Sequence, residues 1–260
     1  MPNRYQIASL GTRYQSSPLV EADNLVMAFV TLPDFEALSL SLCILLATYA
    51  TYLCGTPPNP NPYKSKHPDS ASTAVSPLAL FVRRFINVFL GLCHACLCLT
   101  YPSPPRLICP RSSHLAPYLF TWTPYSIIFI AIILGGSYIR LWAFSALGSN
   151  FTFRLAEPKR LVTSGLYRYV QHPSYTGKAL IMFANLALIQ RPDGLVGCWL
   201  PTGLVEAKLV WRVLAFLYMI MAIHMLRKRV SEEETMLKNT FGKEWEVWHA
   251  ITKRFVPGVF

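Results

Sequence analysis

The residues best placed to do chemistry fall in two groups. The first is Tyr167 with the run His172-Pro173-Ser174-Tyr175-Thr176-Gly177, and the second is Arg229 with Glu232, Glu233 and Glu234. His172 and Tyr175 are three apart, so on a helical turn they share a face and present an imidazole and a phenol to a carboxylate or a sugar hydroxyl. Arg229 and Glu233 are four apart and share a face in the same way. A guanidinium grips a carboxylate at two points, which an ammonium does not. Tyr167 offers a ring for stacking or a hydroxyl for donation. Pro173 suits a first helical turn, where its missing N–H is harmless, and Gly165 and Gly177 permit close approach of backbone or ligand. Each feature alone has a plainer reading. An Arg-x-x-Glu-Glu run at a helix end is ordinarily a solvated, salt-bridged face. A lone histidine is more often structural, and a lone tyrosine beside a span is an interfacial aromatic. Their joint occurrence in order, each beside a long apolar segment, favours function, because polar groups packed against membrane spans are costly unless they bind something.

The elements that must position these groups are membrane helices. The chain has 260 residues, 53% of them hydrophobic and 14% charged, with a mean hydropathy of +0.34. A soluble domain carries about 25% charged residues. Runs of about 20 apolar residues mark spans at 35–54, 81–101 and 124–147, with Arg140 one turn inside the end of the third. The segment 175–190 is apolar but short, and 194–205 is broken by Gly197, Pro201 and Gly203. The pair reads as one kinked crossing or a helical hairpin. The last span, 209–226, is expected to continue as helix through Arg229 into the acidic cluster. Between the first two spans, Gly55 to Ser76 is a proline-rich loop expected to be irregular and mobile.

Orientation follows from the basic residues near span ends. The loop 148–174 holds Arg154, Lys159, Arg160 and Arg168, and the tail after Leu226 holds seven further Lys and Arg. The loop Pro102–Thr123 holds only Arg106 and Arg111. Five crossings with the C-terminus in the cytosol satisfy these counts and put both motif groups on the cytosolic side. In the tail, Phe241, Trp245, Trp248, Ile251 or Thr252, and Phe255 recur at helical spacing. This predicts an amphipathic helix that lies on the bilayer surface or packs against the bundle.

The net charge of +11 sits in loops flanking apolar runs, which points to anionic lipid rather than nucleic acid. Seven cysteines, mostly within apolar segments, argue against a disulfide framework. Cys93-His94-Ala95-Cys96-Leu97-Cys98 lacks a second ligand pair for a tetrahedral site, so it reads as ordinary helix residues and no metal is expected. Residues 1 to 24 lack the apolar core of a secretory signal, and the last five residues carry no cysteine for prenylation.

The order Tyr-x4-His-Pro-x-Tyr-x-Gly, a hydrophobic segment, Arg-x-x-Glu-Glu and Phe241-Gly242-x-Glu244-Trp245, with Leu147-Gly148-x-Asn150-Phe151 and Leu161-Val162-Thr163-x-Gly165 before it, resembles the isoprenylcysteine carboxyl methyltransferase family. The likeness runs from about Arg140 to Phe260. It implies one all-α integral membrane bundle over 1–260 of about five spans, with N-terminal spans in 1–123 and a methyltransferase core in 124–260. A cytosol-facing cofactor pocket and an interfacial C-terminal helix belong to that picture, as does residence in the endoplasmic reticulum. The implied cofactor is S-adenosyl-L-methionine, bound by Ser164, Gly165, Leu166, Tyr167, His172, Pro173, Tyr175, Gly177, Glu232 and Glu233. The implied partner is the prenylated C-terminal cysteine of client proteins, in the lipid bilayer, with Arg229 holding its carboxylate. Gln171 departs from the family pattern, which has Arg before His-Pro, and Trp245 and Trp248 stand where Tyr is usual. Related phospholipid methyltransferases share much of the pattern and membrane sterol reductases end in a similar one, so a lipid N-methyltransferase, a reductase and a non-catalytic adaptor are the alternatives. Arg229, suited to an anionic acceptor, favours the first reading.

Overall fold

In a computed structural model of the protein, residues 34–60 and 69–255 are described, and their regular secondary structure is helical apart from one isolated bridge between Val170 and Lys253. The helices are α1 (Phe35–Cys54), α2 (Pro77–Thr100), α3 (Pro124–Leu147), α4 (Pro173–Leu188), the short α5 (Thr202–Glu206), α6 (Lys208–Phe241) and α7 (Lys243–Ile251). The readings that fell on residues 1–24, on the prolines of 61–68 and on the last five residues lie outside the described residues.

Local chemistry starts and stops these helices. Ser76 caps α2 by accepting from the Ala79 amide, ahead of Pro77, four residues before the apolar run expected to open the span. Thr123 and Ser126 form a reciprocal capping box at α3, with Pro124 in the first turn. Pro173 opens α4, as its missing N–H allows. Gly242, with φ +52°, breaks the chain between α6 and α7 in a conformation that side chains resist.

Four segments are long and apolar enough to cross a membrane: α1, α2, the stretch Pro117–Asn150 that contains α3, and α6. The segment 175–190, read with 194–205 as one kinked crossing or a hairpin, forms α4, which is not among these four. It has 16 residues and runs antiparallel to α3, since Ser174 meets Arg140 at one end and the Ala187 carbonyl accepts from Tyr125 Oη at the other. The two helices lie close: a Cβ on Gly177 would come within 2.5 Å of the Gly136 carbonyl, so glycine here serves helix packing rather than ligand approach.

The chain beyond α4 joins the loop before α3. The Ala116 amide donates to the Asp193 carbonyl, Arg191 forks onto Asp193, and Cys109 is bonded to Cys198. This single disulfide corrects the reading that the cysteines argue against a disulfide framework: the bonded pair lies outside the long helices, whereas the free cysteines, Cys43, Cys54, Cys93, Cys96 and Cys98, belong to α1 and α2. His94 donates from Nε2 to the Leu119 carbonyl, and no group of three metal-ligating residues occurs among the described residues. The main core packs α1, α2, α3 and α4 around Leu40, Ile44, Leu97, Ile133 and Leu188. From Lys208 to Lys228, α6 buries no residue against that core, leaving one flank of the bundle open.

Candidate functional site

At the opposite end from the disulfide, five segments converge: residues 69–76, the loop 148–172, the start of α4, α6 beyond Lys228, and α7 with the residues after it. Arg140 anchors the floor. It is buried, donates from Nε to the Cys54 carbonyl and from Nη1 to the carbonyl and hydroxyl of Ser174, and lies against the rings of Phe144 and Phe153. One side chain thus ties the ends of α1, α3 and α4 together.

The two motif groups meet above it. Tyr175 Oη donates to Glu233 Oε2 at 2.7 Å and accepts from Arg229 Nε at 3.3 Å. His172 Nε2 lies 3.2 Å from Glu234 Oε1, and Arg254 forks onto both oxygens of Glu234. Arg229 Nη2 donates to the Phe153 carbonyl, and Nη1 lies 2.6 Å from Asp69 Oδ1. The Asp69 carboxylate also accepts from the amides of Ala71 and Leu155. The part of the proline-rich loop that is described is therefore irregular but anchored, which its composition did not signal. Asp69 is the one acid between Gly55 and Ser76, and that was the available clue.

The three consecutive acids point three ways, as successive helix positions must. Glu232 accepts from the amide and hydroxyl of Ser70, Glu233 faces Tyr175, and Glu234 faces His172. A cavity of about 770 Å³ lies beside them, lined by Tyr167, His172, Tyr175, Arg229 and Glu233 among others. It continues between α2, α4 and α6 along apolar side chains such as Val82, Ile86, Ile181 and Met182. Ser164, Gly165, Leu166, Pro173, Gly177 and Glu232, expected on cofactor contacts, are not in its described wall. Gly165 has φ +63° and open space around it, so it forms the turn that delivers Tyr167.

The tail closes the site. Trp245 and Trp248 are buried, and Trp248 donates from its indole to the Tyr167 carbonyl. Thr252 is buried while Ile251 is 79% exposed, so α7 docks on the bundle through its tryptophan face and Thr252 continues that face. Gln171 sits in the departed position as a clamp on the tail. Its amide donates to the carbonyls of His249 and Thr252, its oxygen meets His249 Nδ1, and the adjacent amides pair with Lys253 and Arg254. Burial, with the Glu233 carboxylate nearby, pushes the Tyr167 phenol up, so it remains a neutral hydroxyl.

Residues 128–209 match the model of the isoprenylcysteine carboxyl methyltransferase (ICMT) family. The chain is 26% identical over 147 residues to a protein-S-isoprenylcysteine O-methyltransferase of Dictyostelium discoideum, covering 55% of this chain and 53% of that one. It is 30% identical over 129 residues to that of Xenopus laevis, covering 48% and 37%. It is 27% identical over 134 residues to protein-S-isoprenylcysteine O-methyltransferase B of Arabidopsis thaliana, covering 50% and 58%. The chain thus spans between 37% and 58% of the length of these curated relatives. The family-model match contains His172, Pro173, Tyr175 and Gly177 and ends before Arg229 and Glu233. Over residues 128–209 the chain is thus similar to the isoprenylcysteine carboxyl methyltransferase family, in a helical bundle with four segments long and apolar enough to cross a bilayer.

Proposed function

We propose that the chain transfers a methyl group from S-adenosyl-L-methionine to the C-terminal carboxylate of a prenylated cysteine. The observation that carries this is the cavity's continuity, from a polar end at Glu233, Tyr175 and His172 to an apolar end beside the unburied flank of α6. A lipid-bearing acceptor can enter sideways from the bilayer while a water-soluble cofactor enters from the polar end. The volume lies within the range of about 300–1,000 Å³ typical of small-molecule sites.

The donor set fits the cofactor. Glu233 supplies a carboxylate for a cationic group, Tyr175 fixes its orientation, and Tyr167 and His172 offer a ring face and an imidazole. When bound, S-adenosyl-L-methionine would supply an electrophilic methyl on a sulfonium, and a carboxylate acceptor would take it without giving up a proton. A carboxylate acceptor is already ionised at neutral pH, so the chain's residues need only desolvate, orient and hold the reactants. His172, held by Glu234, positions the start of α4. Arg229, ion-paired with Asp69 and donating to Phe153 and Tyr175, adds fixed positive charge beside the acceptor.

We place the site on the cytosolic face, in the endoplasmic reticulum membrane. The basic residues cluster at the site end. The Cys109–Cys198 bond lies at the other end, and disulfides persist in oxidising compartments such as the lumen. The test is transfer from labelled S-adenosyl-L-methionine to N-acetyl-S-farnesyl-L-cysteine, with phosphatidylethanolamine as competing acceptor. Labelling of the farnesylcysteine supports the reading. Labelling of the amine alone would replace it with lipid N-methylation, and labelling of neither would remove both.

A further inference from the structure

Along one face of α4 the cavity wall changes character turn by turn. His172 and Tyr175 stand at the polar end, with Tyr175 on Glu233. Lys178, three residues on, lines the same cavity, and Ile181 and Met182 follow it. Helix rise puts each of these steps about 4.5–6 Å apart. Lys178 therefore lies one turn past the acidic pole and one turn short of the apolar stretch.

Lys178 is also uncompensated. Among the described residues it has no hydrogen bond or ion pair, and the charged groups bearing on it are Arg140, Arg83 and Arg229, all cations. Of the neighbouring guanidiniums, Arg140 is engaged on Cys54 and Ser174 and Arg229 on Asp69, Phe153 and Tyr175, while Arg83, on the α2 wall of the cavity, is exposed. Glu233 is the one carboxylate in the described wall, and it is turned to Tyr175. An ammonium held among cations at the edge of a bilayer is costly unless an anion joins it.

We infer that Lys178 is the residue that receives the acceptor's carboxylate. This rests on the methyl-esterification reading and deepens it. An acceptor with its lipid along Ile181 and Met182 carries its carboxylate at the Lys178 level, one turn from the pole assigned to the methyl donor. The step then has a built-in release. As the carboxylate oxygen gains the methyl it loses its charge, so the ester leaves without the ion pair that held the acid.

The test compares binding of N-acetyl-S-farnesyl-L-cysteine and its methyl ester to the full chain in phosphatidylcholine nanodiscs. Wild type, Lys178→Met and Lys178→Arg are measured, with S-adenosylhomocysteine affinity as a check on the cofactor end. Wild type should prefer the acid by roughly ten- to hundredfold, the size of one charge-assisted hydrogen bond. Lys178→Met should bind acid and ester alike, Lys178→Arg should keep most of the preference, and cofactor-end affinity should stay within about twofold in both, well under the tenfold that one lost charged contact costs. Equal affinities in wild type, or an acid preference that survives in Lys178→Met, would overturn the inference and leave the esterification reading standing. Binding of neither form by wild type would overturn both.

Discussion

The contact between Asp69 and Arg229 joins the loop before α2 to the site, and its removal should be strongly asymmetric. The partners are 2.6 Å apart, with side chains 2% and 8% exposed. In Arg229→Met the carboxylate remains buried with only the amides of Ala71 and Leu155 as donors. Breaking a buried pair by removing one partner costs about 3–5 kcal/mol. In Asp69→Asn the amide oxygen keeps one of those donors, and Arg229 retains Tyr175 and Phe153. That loss should be about 1–2 kcal/mol, one hydrogen bond with its partner still partly satisfied. The double variant should lose less than the sum, with a coupling of about 1–3 kcal/mol, because the uncompensated charge that makes Arg229→Met severe is then gone. For a chain of this size, 3–5 kcal/mol corresponds to roughly 6–20 °C in the unfolding midpoint, readable by thermal denaturation in mild detergent. Equal losses for the two single variants, adding fully in the double, would mean that the pair is solvated and does not hold the loop. Full cofactor binding by an Arg229→Met protein of normal stability would refute the linkage between loop and site.

Three further outcomes follow from the same contacts. Glu233→Gln should raise the dissociation constant for S-adenosyl-L-methionine by roughly ten- to hundredfold, since a charged partner becomes a neutral one, with less effect from Tyr175→Phe; calorimetry in detergent checks both, and an unchanged affinity in Glu233→Gln would return that residue to a structural role. Gln171→Ala removes both side-chain bonds from Gln171 Nε2 to the tail and should expose the chain around Gly242 to protease while the α3–α4 pair stays protected; an uncut tail would mean that Trp245, Trp248 and the backbone pairing with Lys253 and Arg254 suffice. In sealed microsomes, a Cys109→Ser variant should expose Cys198 to a membrane-impermeant thiol reagent only after permeabilisation, and stability should fall by about 2–4 kcal/mol, as for loss of a long-range crosslink; labelling of Cys198 from the outside would invert the orientation.

What the sequence made legible follows the range of the interactions involved. The continuous helix through Arg229 was readable because no glycine or proline interrupts residues 204–241, and Gly242 stops it. The pairing of the two motif groups was readable because each half has its own helical spacing. The start of α2 was read four residues late, since hydropathy registers the apolar run but not the Ser76 cap before it. The Cys109–Cys198 bond was missed because its partners are 89 residues apart and meet only through the return of α4 along α3. What could have marked them was position: both lie outside the long helices that hold the free cysteines. Asp69 and Gln171 were opaque for the same reason, as their partners lie 160 and about 80 residues away.

The acidic cluster shows how far helical geometry alone can be pushed. Successive residues turn by about 100°, so Glu232, Glu233 and Glu234 cannot all serve one ligand. Arg229 fixes the useful direction, because the residue four further on lies nearest to it, turned by about 40° against about 60° for the residue three on. Glu233 meets Tyr175 there, and the other two acids take structural partners on either side, Ser70 for Glu232 and His172 with Arg254 for Glu234. Each of those partners comes from a different segment: the loop before α2, the start of α4, the end of the chain. A run that resembles a solvated helix end is therefore a junction, and both readings of it are partly right. One acid faces the cavity, and its neighbours hold together the three pieces of chain that give the cavity its walls. Substitutions in Glu232 or Glu234 should consequently disturb the shape of the site, whereas a substitution in Glu233 disturbs its charge.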